Sequence, residues 1–244
     1  VQKLEGMHND LIELIAESDE TLLEIFFDKG ELSEDEMRSG LHQAIKSNGL
    51  IPVFCTSGET NIGIKRLMDV ISKYAPSASD FEEVVGVKPG STETIKHSSS
   101  INDPLSAIVF KTISEEHIGE MSFFRVYSGK VNVGEDLQNS SRNQSEKMRQ
   151  VYFMNGKNRK DAAQLVAGDI GAALKLKNTH TGDTLSNPKN PILLPEIKYP
   201  TPNMSFAVKP KARGDEEKIA NGLSVMHEED PTFIYRVDSE LKQT

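Results

Sequence analysis

The sequence predicts a multidomain protein of the α/β + β class: the C-terminal part of an α/β domain, then an antiparallel β-barrel, then a partial ferredoxin-like α+β unit. Three observations lead to this prediction. Apolar residues recur at helical spacing in the first third of the chain, they alternate with a period of two from about residue 104, and a β-α-β pattern closes the sequence. The predicted boundaries are 1–80 for the α/β part, 81–103 for a linker, 104–193 for the barrel, 194–202 for a second linker and 203–244 for the final unit.

In the α/β part, apolar residues repeat at helical spacing from Asn9 to Phe27. Ser33 followed by Glu36 matches a capping box and predicts the start of another helix. Residues 49–54, GLIPVF, predict a buried strand, and residues 63–75 return to helical spacing. The run is too short to be a whole α/β domain.

The barrel is predicted from short segments with alternating polarity and turn glycines between them. These candidate strands are 105–113, 120–129, 130–137, 147–154 and 170–176. Within the second of them, Arg125 and Tyr127 alternate with Phe124 and Val126, so one pair faces inward and the other outward. The preceding linker, rich in Ser, Thr, Gly and Pro, is expected to hold one short strand at most.

In the final unit, residues 204–210 and 232–238 are predicted strands on either side of a helix that begins near Asp215. This β-α-β order is half of a split α/β sandwich.

Composition sets further bounds. The 244 residues are 36% hydrophobic and 27% charged, which is typical of globular domains. No apolar run approaches the roughly 18 residues that a membrane-spanning helix needs. Because the chain begins at Val1 and no leader peptide follows, we expect a cytoplasmic piece of a longer protein, with no membrane partner. The six scattered histidines predict no metal site, and Cys55, inside an apolar run, is expected to be buried.

The net charge of −9 is unevenly distributed. Residues 1–83 hold 17 acidic and 7 basic residues, whereas residues 84–244 hold 20 and 21. The second part is therefore free to approach a polyanion such as RNA.

Four stretches, in order along the chain, carry a family resemblance: PVFCTSGETNIGIKRLMD (52–69), FFRVYSGKVNVGED (123–136), AGDIGAALKLKNTHTGDTL (167–185) and VKPKARGDEEKIANGLSVMHEEDPTF (208–233). Together they resemble the elongation factor G family of ribosomal translocases. The first resembles the fifth motif of its GTPase domain, the second and third its domain II, and the fourth the opening of its domain III. The resemblance implies the C-terminal part of a P-loop GTPase domain, a translation-factor barrel and the start of domain III.

The loop after the first predicted strand is not a Walker phosphate loop. Gly58 and Gly63 have the required separation, but Lys65 comes one place late and Arg66 stands where a hydroxyl should bind magnesium. The family resemblance implies instead that residues 56–58 hold the guanine base. Backbone N–H groups of Ser57 and Gly58 would then approach the O6 acceptor of guanine.

The motifs for the phosphates and the metal are absent. The sequence contains no Gly-x-x-x-x-Gly-Lys-Ser/Thr, no Asp-x-x-Gly that could bind magnesium and no Asn-Lys-x-Asp. The resemblance places these elements before Val1, so GTP and Mg²⁺ are expected to bind only to the full-length parent. No catalytic residue is assigned in this chain, and the fragment alone is expected to be inactive as a GTPase.

A run of cations in the predicted barrel is a candidate contact for ribosomal RNA. Its members are Arg142, Lys147, Arg149, Lys157, Arg159 and Lys160. The resemblance implies a monomer whose partner is the ribosome, both its RNA and its proteins, and through it tRNA and mRNA.

Two alternatives remain open from the sequence. A tetracycline ribosomal protection protein or a bacterial class II release factor belongs to the same superfamily and shares the barrel. The second alternative, from a different functional class, is that the chain is a non-enzymatic barrel that binds RNA or the ribosome.

Overall fold

The computed structural model describes residues 2–115, 119–212 and 214–236. It divides into two compact units, Val1–Asp80 and Phe81–Thr244, which are described separately. No helix in these described ranges is long and apolar enough to span a bilayer.

The described part of the first unit contains four α-helices and a short 3-10 helix, Ala78–Asp80. The α-helices are α1 (Gln2–Ala16), α2 (Glu20–Lys29), α3 (Glu34–Lys46) and α4 (Ile64–Tyr74). The helical pattern predicted from Asn9 to Phe27 is divided between two helices, because the Asp19 carboxylate accepts hydrogen bonds from the N–H groups of Thr21 and Leu22 and caps α2. Together α1, α2 and α3 bury a small core, with Ile12, Ile15 and Leu22 at its centre.

The predicted capping box at the start of α3 is confirmed. The Glu36 N–H donates to Ser33 Oγ at 3.3 Å, and the Ser33 N–H donates to Glu36 Oε2 at 2.7 Å. The Ser33 hydroxyl also donates to Glu36 Oε2 at 2.6 Å, and this bond, followed by the one from the Ser33 N–H, lowers the pKa of the Glu36 carboxyl. Two backbone donors at the helix start are thereby satisfied.

The strand predicted at 49–54 is not formed. Residues 51–56 form no regular secondary structure and no strand pairing among the described residues, and Ile51 and Val53 are 80% and 87% exposed. Cys55, expected to be buried, is exposed for the same reason. Helix α4, whose prediction is confirmed, buries no residue in this unit. A strand needs a hydrogen-bonded neighbour, and residues 51–56 find none in the described part of the first unit.

The second unit contains twelve strands and one helix in its described part. The elements are β1 (Glu83–Val87), β2 (Thr94–Ser98), β3 (Ser106–Glu115), β4 (Gly119–Ser128), β5 (Lys130–Asn132), β6 (Asp136–Asn139), β7 (Gln144–Lys147), β8 (Val151–Asn155), β9 (Asn158–Ala162), β10 (Gln164–Val166), β11 (Ile170–Leu174), β12 (Thr184–Ser186) and α5 (Glu216–Glu229).

Eight of these strands form one antiparallel sheet in the order β7-β6-β12-β3-β4-β11-β8-β9, and β5 pairs with β10. The interior of this barrel-like domain is filled by apolar side chains that include Phe124, Val126, Leu165 and Leu185, all fully buried. Arg125 and Tyr127 lie on the outer face, as the alternation predicts. The antiparallel β-barrel prediction is confirmed.

The segment expected to be a linker with at most one strand instead holds the hairpin β1–β2. Val84 on β1 packs against Ile192 and Leu194, and Val87 pairs with Leu193 across an isolated bridge. The hairpin forms because alternating apolar residues within this polar segment pack against the apolar residues near Ile192.

Of the predicted final β-α-β unit, the described residues contain helix α5 alone. Residues 204–210 form no strand and expose Met204 and Phe206, and 232–236 form none either; the remainder of that second predicted strand lies outside the described residues. These two segments lack a strand partner among the described residues. Helix α5 does contact the barrel, since Glu229 Oε1 accepts a 2.7 Å hydrogen bond from the Ser114 N–H.

His97 on β2 is buried against the barrel, with Nδ1 3.4 Å from Ser128 Oγ. Burial lowers its pKa, and the Asp103 carboxylate opposes part of that shift. Because the unfolded chain takes up the proton more readily, this contribution to stability is present above a pH of about 6.5 and is lost as the pH falls below it.

We therefore expect the free energy of unfolding of the second unit to decrease between about pH 7.5 and about pH 5.5, and His97→Gln to remove part of that decrease. Urea unfolding followed by circular dichroism at the two pH values measures it. An identical pH dependence in wild type and variant would contradict the assignment to His97.

Candidate functional sites

The loop from Cys55 to Gly63 leads into helix α4 from the exposed, irregular segment before it. The Ser57 N–H donates to the Ile62 carbonyl at 3.0 Å, which closes a short turn, and the Thr60 N–H donates to Ser57 Oγ at 3.3 Å. Of the two backbone donors predicted for a guanine base, that of Ser57 is therefore occupied. The Gly58 N–H has no hydrogen-bond partner among the described residues, and a Cβ at Gly58 would meet open space.

Gly63 fixes the direction in which α4 leaves the loop. It has a φ of 75°, in the left-handed region, and a Cβ there would lie 3.2 Å from both the Cys55 carbonyl oxygen and Thr56 Cγ2. Glycine is the residue that adopts this conformation at little cost. The turn into the helix therefore leaves little space for a side chain at Gly63 and open space at Gly58.

Two of the six predicted cations are paired with carboxylates. Arg142 Nε lies 2.7 Å from Asp183 Oδ2, and Lys147 Nζ lies 3.4 Å from Asp136 Oδ1. On the β8–β9 hairpin, Arg159 pairs with Met154 and Lys160 with Phe153.

Successive residues of a strand point to opposite faces, so Arg159 and Lys160 lie on opposite sides of the hairpin. The Arg159 guanidinium lies 6.0 Å from the centre of the Tyr152 ring. Arg149, Lys157 and Lys160 are exposed and form no ion pair among the described residues.

Sequence analysis missed a pair of buried carboxylates in the barrel. Glu146 is 4% exposed and accepts hydrogen bonds from Lys177 N–H (3.1 Å), Asn178 N–H (2.8 Å) and Thr179 Oγ1 (3.0 Å). One signal was available: Glu146 occupies the same strand phase as the buried Met148, so its side chain points inward.

Asp183 is the second buried carboxylate, at 6% exposed. Its Oδ2 accepts from Asn139 Nδ2 at 2.9 Å, from Arg142 Nε at 2.7 Å and from the His180 N–H at 2.8 Å. Glu146 and Asp183 together hold residues 177–183 against the barrel as one ordered loop.

The ordered loop in turn meets helix α5. His180 Nδ1 lies 2.6 Å from Glu228 Oε2, and Thr181 Oγ1 lies 3.5 Å from the Glu228 carbonyl oxygen. The buried carboxylates of the barrel therefore position the residues on which α5 rests. No group of three or more His, Cys, Asp or Glu in the described part of the chain is arranged to hold a metal ion.

Comparison with known proteins gives concordant matches. Residues 104–188 match the family model described as elongation factor G domain 2, and residues 199–244 match the one described as elongation factor G, domain III. An elongation factor G from Dehalococcoides mccartyi is 37% identical over 236 residues, which are 97% of this chain and 34% of that protein.

A crystal structure of a protein from Thermus thermophilus is similar with a TM-score of 0.79 and 25% identity, over 99% of this chain and 34% of that one. The chain thus spans about a third of the length of the relatives it matches. The predicted resemblance is confirmed, and a tetracycline protection protein or class II release factor is not favoured.

Proposed function

This chain belongs to the elongation factor G family, and we propose that it is an internal segment of a ribosomal translocase that couples GTP hydrolysis to movement of tRNA and mRNA. The observation that carries this proposal is the 37% identity to an elongation factor G over 97% of the chain, with domain 2 and domain III matched in order. The parent would bind GTP and Mg²⁺ and work as a monomer on the ribosome in the cytoplasm, while this segment supplies no catalytic residue.

The loop at residues 56–58 is the proposed contact with the guanine base. The Gly58 N–H, which has no partner among the described residues, supports this role. Guanine O6 can accept a hydrogen bond from it, whereas the exocyclic amine of adenine is itself a donor and cannot. Ser57 contributes by closing the turn through its own N–H. For the Ser57 N–H to contact the base directly, its hydrogen bond to the Ile62 carbonyl would have to break.

The barrel is the proposed contact with ribosomal RNA. Among the six cations, the exposed Arg149, Lys157 and Lys160 are the ones best able to neutralise phosphates, since Arg142 and Lys147 already pair with carboxylates and Arg159 lies by Tyr152. This narrows the contact to the β7–β8 loop and the β8–β9 hairpin.

The test is nucleotide binding by the parent protein, with the upstream reading frame restored. We expect a fluorescent GDP analogue to bind and the ribosome to stimulate GTP hydrolysis. Gly58→Pro removes the N–H and is expected to weaken GDP binding about tenfold, the cost of one hydrogen bond at a buried site. Gly58→Ala keeps the N–H, meets open space and serves as the matched control.

Two results would contradict the proposal at different levels. A restored parent that binds no guanine nucleotide would leave the barrel as a non-enzymatic RNA- or ribosome-binding module. A parent that binds GDP equally well with proline or alanine at position 58 would remove the base contact while keeping the GTPase.

A further inference from the structure

Helix α5 ends in three consecutive acids, although carboxylates are unfavourable at that end of a helix. Glu228 and Glu229 are its last two residues, and Asp230 is its C-cap. The last carbonyl groups of a helix carry partial negative charge, so cations are preferred beside them. Asp230 finds its partner locally, because the Thr232 hydroxyl and then the Thr232 N–H donate to its carboxylate and lower its pKa. The two glutamates have no such local partner among the described residues.

Both glutamates contact the barrel instead. Glu229 Oε1 accepts a 2.7 Å hydrogen bond from the Ser114 N–H near the end of β3. Glu228 Oε2 lies 2.6 Å from Nδ1 of His180, in the ordered loop 177–183. Two adjacent carboxylates thus meet two separate parts of the barrel, and a sequence that breaks a local helix rule in this way commonly serves a contact elsewhere.

The docking of α5 depends on these polar contacts and is itself opposed by several groups. The helix buries none of its residues, so apolar burial does not hold it in place. Glu228 Oε1 is buried and has no hydrogen-bond partner among the described residues, which costs free energy in the docked state. Glu115 follows Ser114 in the chain and Glu120 lies opposite it on β4, and both carry the same charge as Glu229. The docked and undocked states are therefore close in free energy.

The chain on either side of the contact allows the helix to leave. Residues 195–210, which connect the barrel to α5, form no regular secondary structure. On the barrel, Thr181 Oγ1 lies 3.0 Å from Thr112 Oγ1 and 3.5 Å from the Glu228 carbonyl oxygen. The shorter of these contacts is within the barrel, so the Thr181 hydroxyl keeps a partner when α5 undocks. Release of the helix requires no rearrangement of the sheet.

We propose that Glu228 and Glu229 form a releasable latch, which holds α5 on the barrel when it is closed and frees the helix, with the barrel still folded, when it opens. Because the two residues are adjacent on one helix end, loss of either contact removes the geometry that the other needs. The latch opens as one unit. It goes beyond the proposed function, since neither contact involves the loop at 56–58.

The test measures hydrogen–deuterium exchange of the Ser114 amide by NMR in the 244-residue chain. Glu229→Ala is expected to speed this exchange about tenfold, the effect of losing one hydrogen bond to a charged group. His180→Ala is expected to speed the same exchange by a similar factor, although His180 is not the residue to which the Ser114 N–H donates. This second result distinguishes one latch from two independent contacts.

The controls come from the same helix and the same sheet. Alanine at 229 is the better helix former and removes a carboxylate from the C-terminal end, so it strengthens α5 itself, and faster exchange cannot arise from a weakened helix. Glu217 is exposed, lies in the first turn of α5 and has no hydrogen bond or ion pair among the described residues; Glu217→Ala should leave the Ser114 exchange unchanged. The Val126 N–H, which donates to the Asp169 carbonyl at 2.9 Å, should exchange at the same rate in every variant if the barrel stays folded.

Three outcomes would overturn the inference. Unchanged Ser114 exchange in Glu229→Ala would show that the helix is not held there, and a rise in Glu229→Ala without one in His180→Ala would show two separate contacts. An equal rise in Glu217→Ala would assign the effect to the helix as a whole. Nucleotide binding by the restored parent is measured independently, so failure of the latch and failure of the GTPase proposal are distinguishable.

Discussion

Replacing Glu146 by alanine is expected to lower the free energy of unfolding of the barrel by about 3 kcal/mol, since hydrogen bonds to a charged group contribute about 1.5–3 kcal/mol each and are not additive. The side chain is 4% exposed and accepts three hydrogen bonds from residues 177–179. Alanine would leave two backbone N–H groups and a buried hydroxyl without their acceptor.

Urea unfolding followed by circular dichroism measures this loss, and Glu146→Gln refines it. Glutamine keeps the size and one acceptor oxygen, so we expect about half the effect of alanine. Asp136→Ala is the matched control on the neighbouring strand β6: its carboxylate is 65% exposed and pairs with Lys147, a contact that contributes at most about 1 kcal/mol. Equal midpoints for Glu146→Ala and Asp136→Ala would show that the buried carboxylate does not hold the loop.

The same substitution has a consequence for helix α5. The loop that Glu146 holds carries His180, whose Nδ1 contacts Glu228, so loosening the loop is expected to release that contact. Hydrogen exchange of α5 should increase in Glu146→Ala and stay unchanged in Asp136→Ala.

The barrel could be predicted from sequence because its strands find their partners within the chain. Period-two alternation in β4 places Phe124 and Val126 inside and Arg125 and Tyr127 outside, as the structure has them. Local signals were sufficient for a related reason in α3, where the capping box specifies the helix start without tertiary help.

The strand signals that failed share one physical cause. The apolar run at 49–54 and the segment 204–210 carry strand-like composition, but strand formation depends on a neighbouring strand, which neither finds among the described residues. The exposed Ile51 and Phe206 mark surfaces that remain uncovered in these two segments. Amino-acid composition indicates that a segment is able to form a strand, but not whether a partner strand is present.

The candidate sites were predicted less completely than the fold. The run of cations predicted an RNA contact but not the faces on which its members lie: strand alternation separates Arg159 from Lys160, and Asp183 pairs with Arg142 from 41 positions away. Such long-range pairing leaves no local signal in a sequence. The β-bulge at Phe110, a residue of β3 that has no partner on β4, could not be predicted either, because an inserted residue in a strand is of the same types as a regularly paired one.

Gly129→Ala is expected to destabilise the barrel by about 3 kcal/mol or more, because it combines a left-handed backbone with a collision. Gly129 has a φ of 68°, and a Cβ there would lie 2.5 Å from the Asp103 carbonyl oxygen and 2.7 Å from the Leu105 nitrogen. These neighbours are backbone atoms, which no rotamer change can move away. The strand junction after β4 must shift, or the chain entering β3 must.

Gly134→Ala separates the two causes. Gly134 has a φ of 86°, but nothing lies within 4 Å of its would-be Cβ, so alanine should cost only the left-handed backbone, about 1 kcal/mol. The difference between the two urea midpoints then measures the collision alone. If both variants lose the same stability, the chain before β3 does not approach Gly129 as closely as the structure indicates. If Gly129→Ala loses far more, the glycine after β4 is required because the backbone that enters β3 passes beside it.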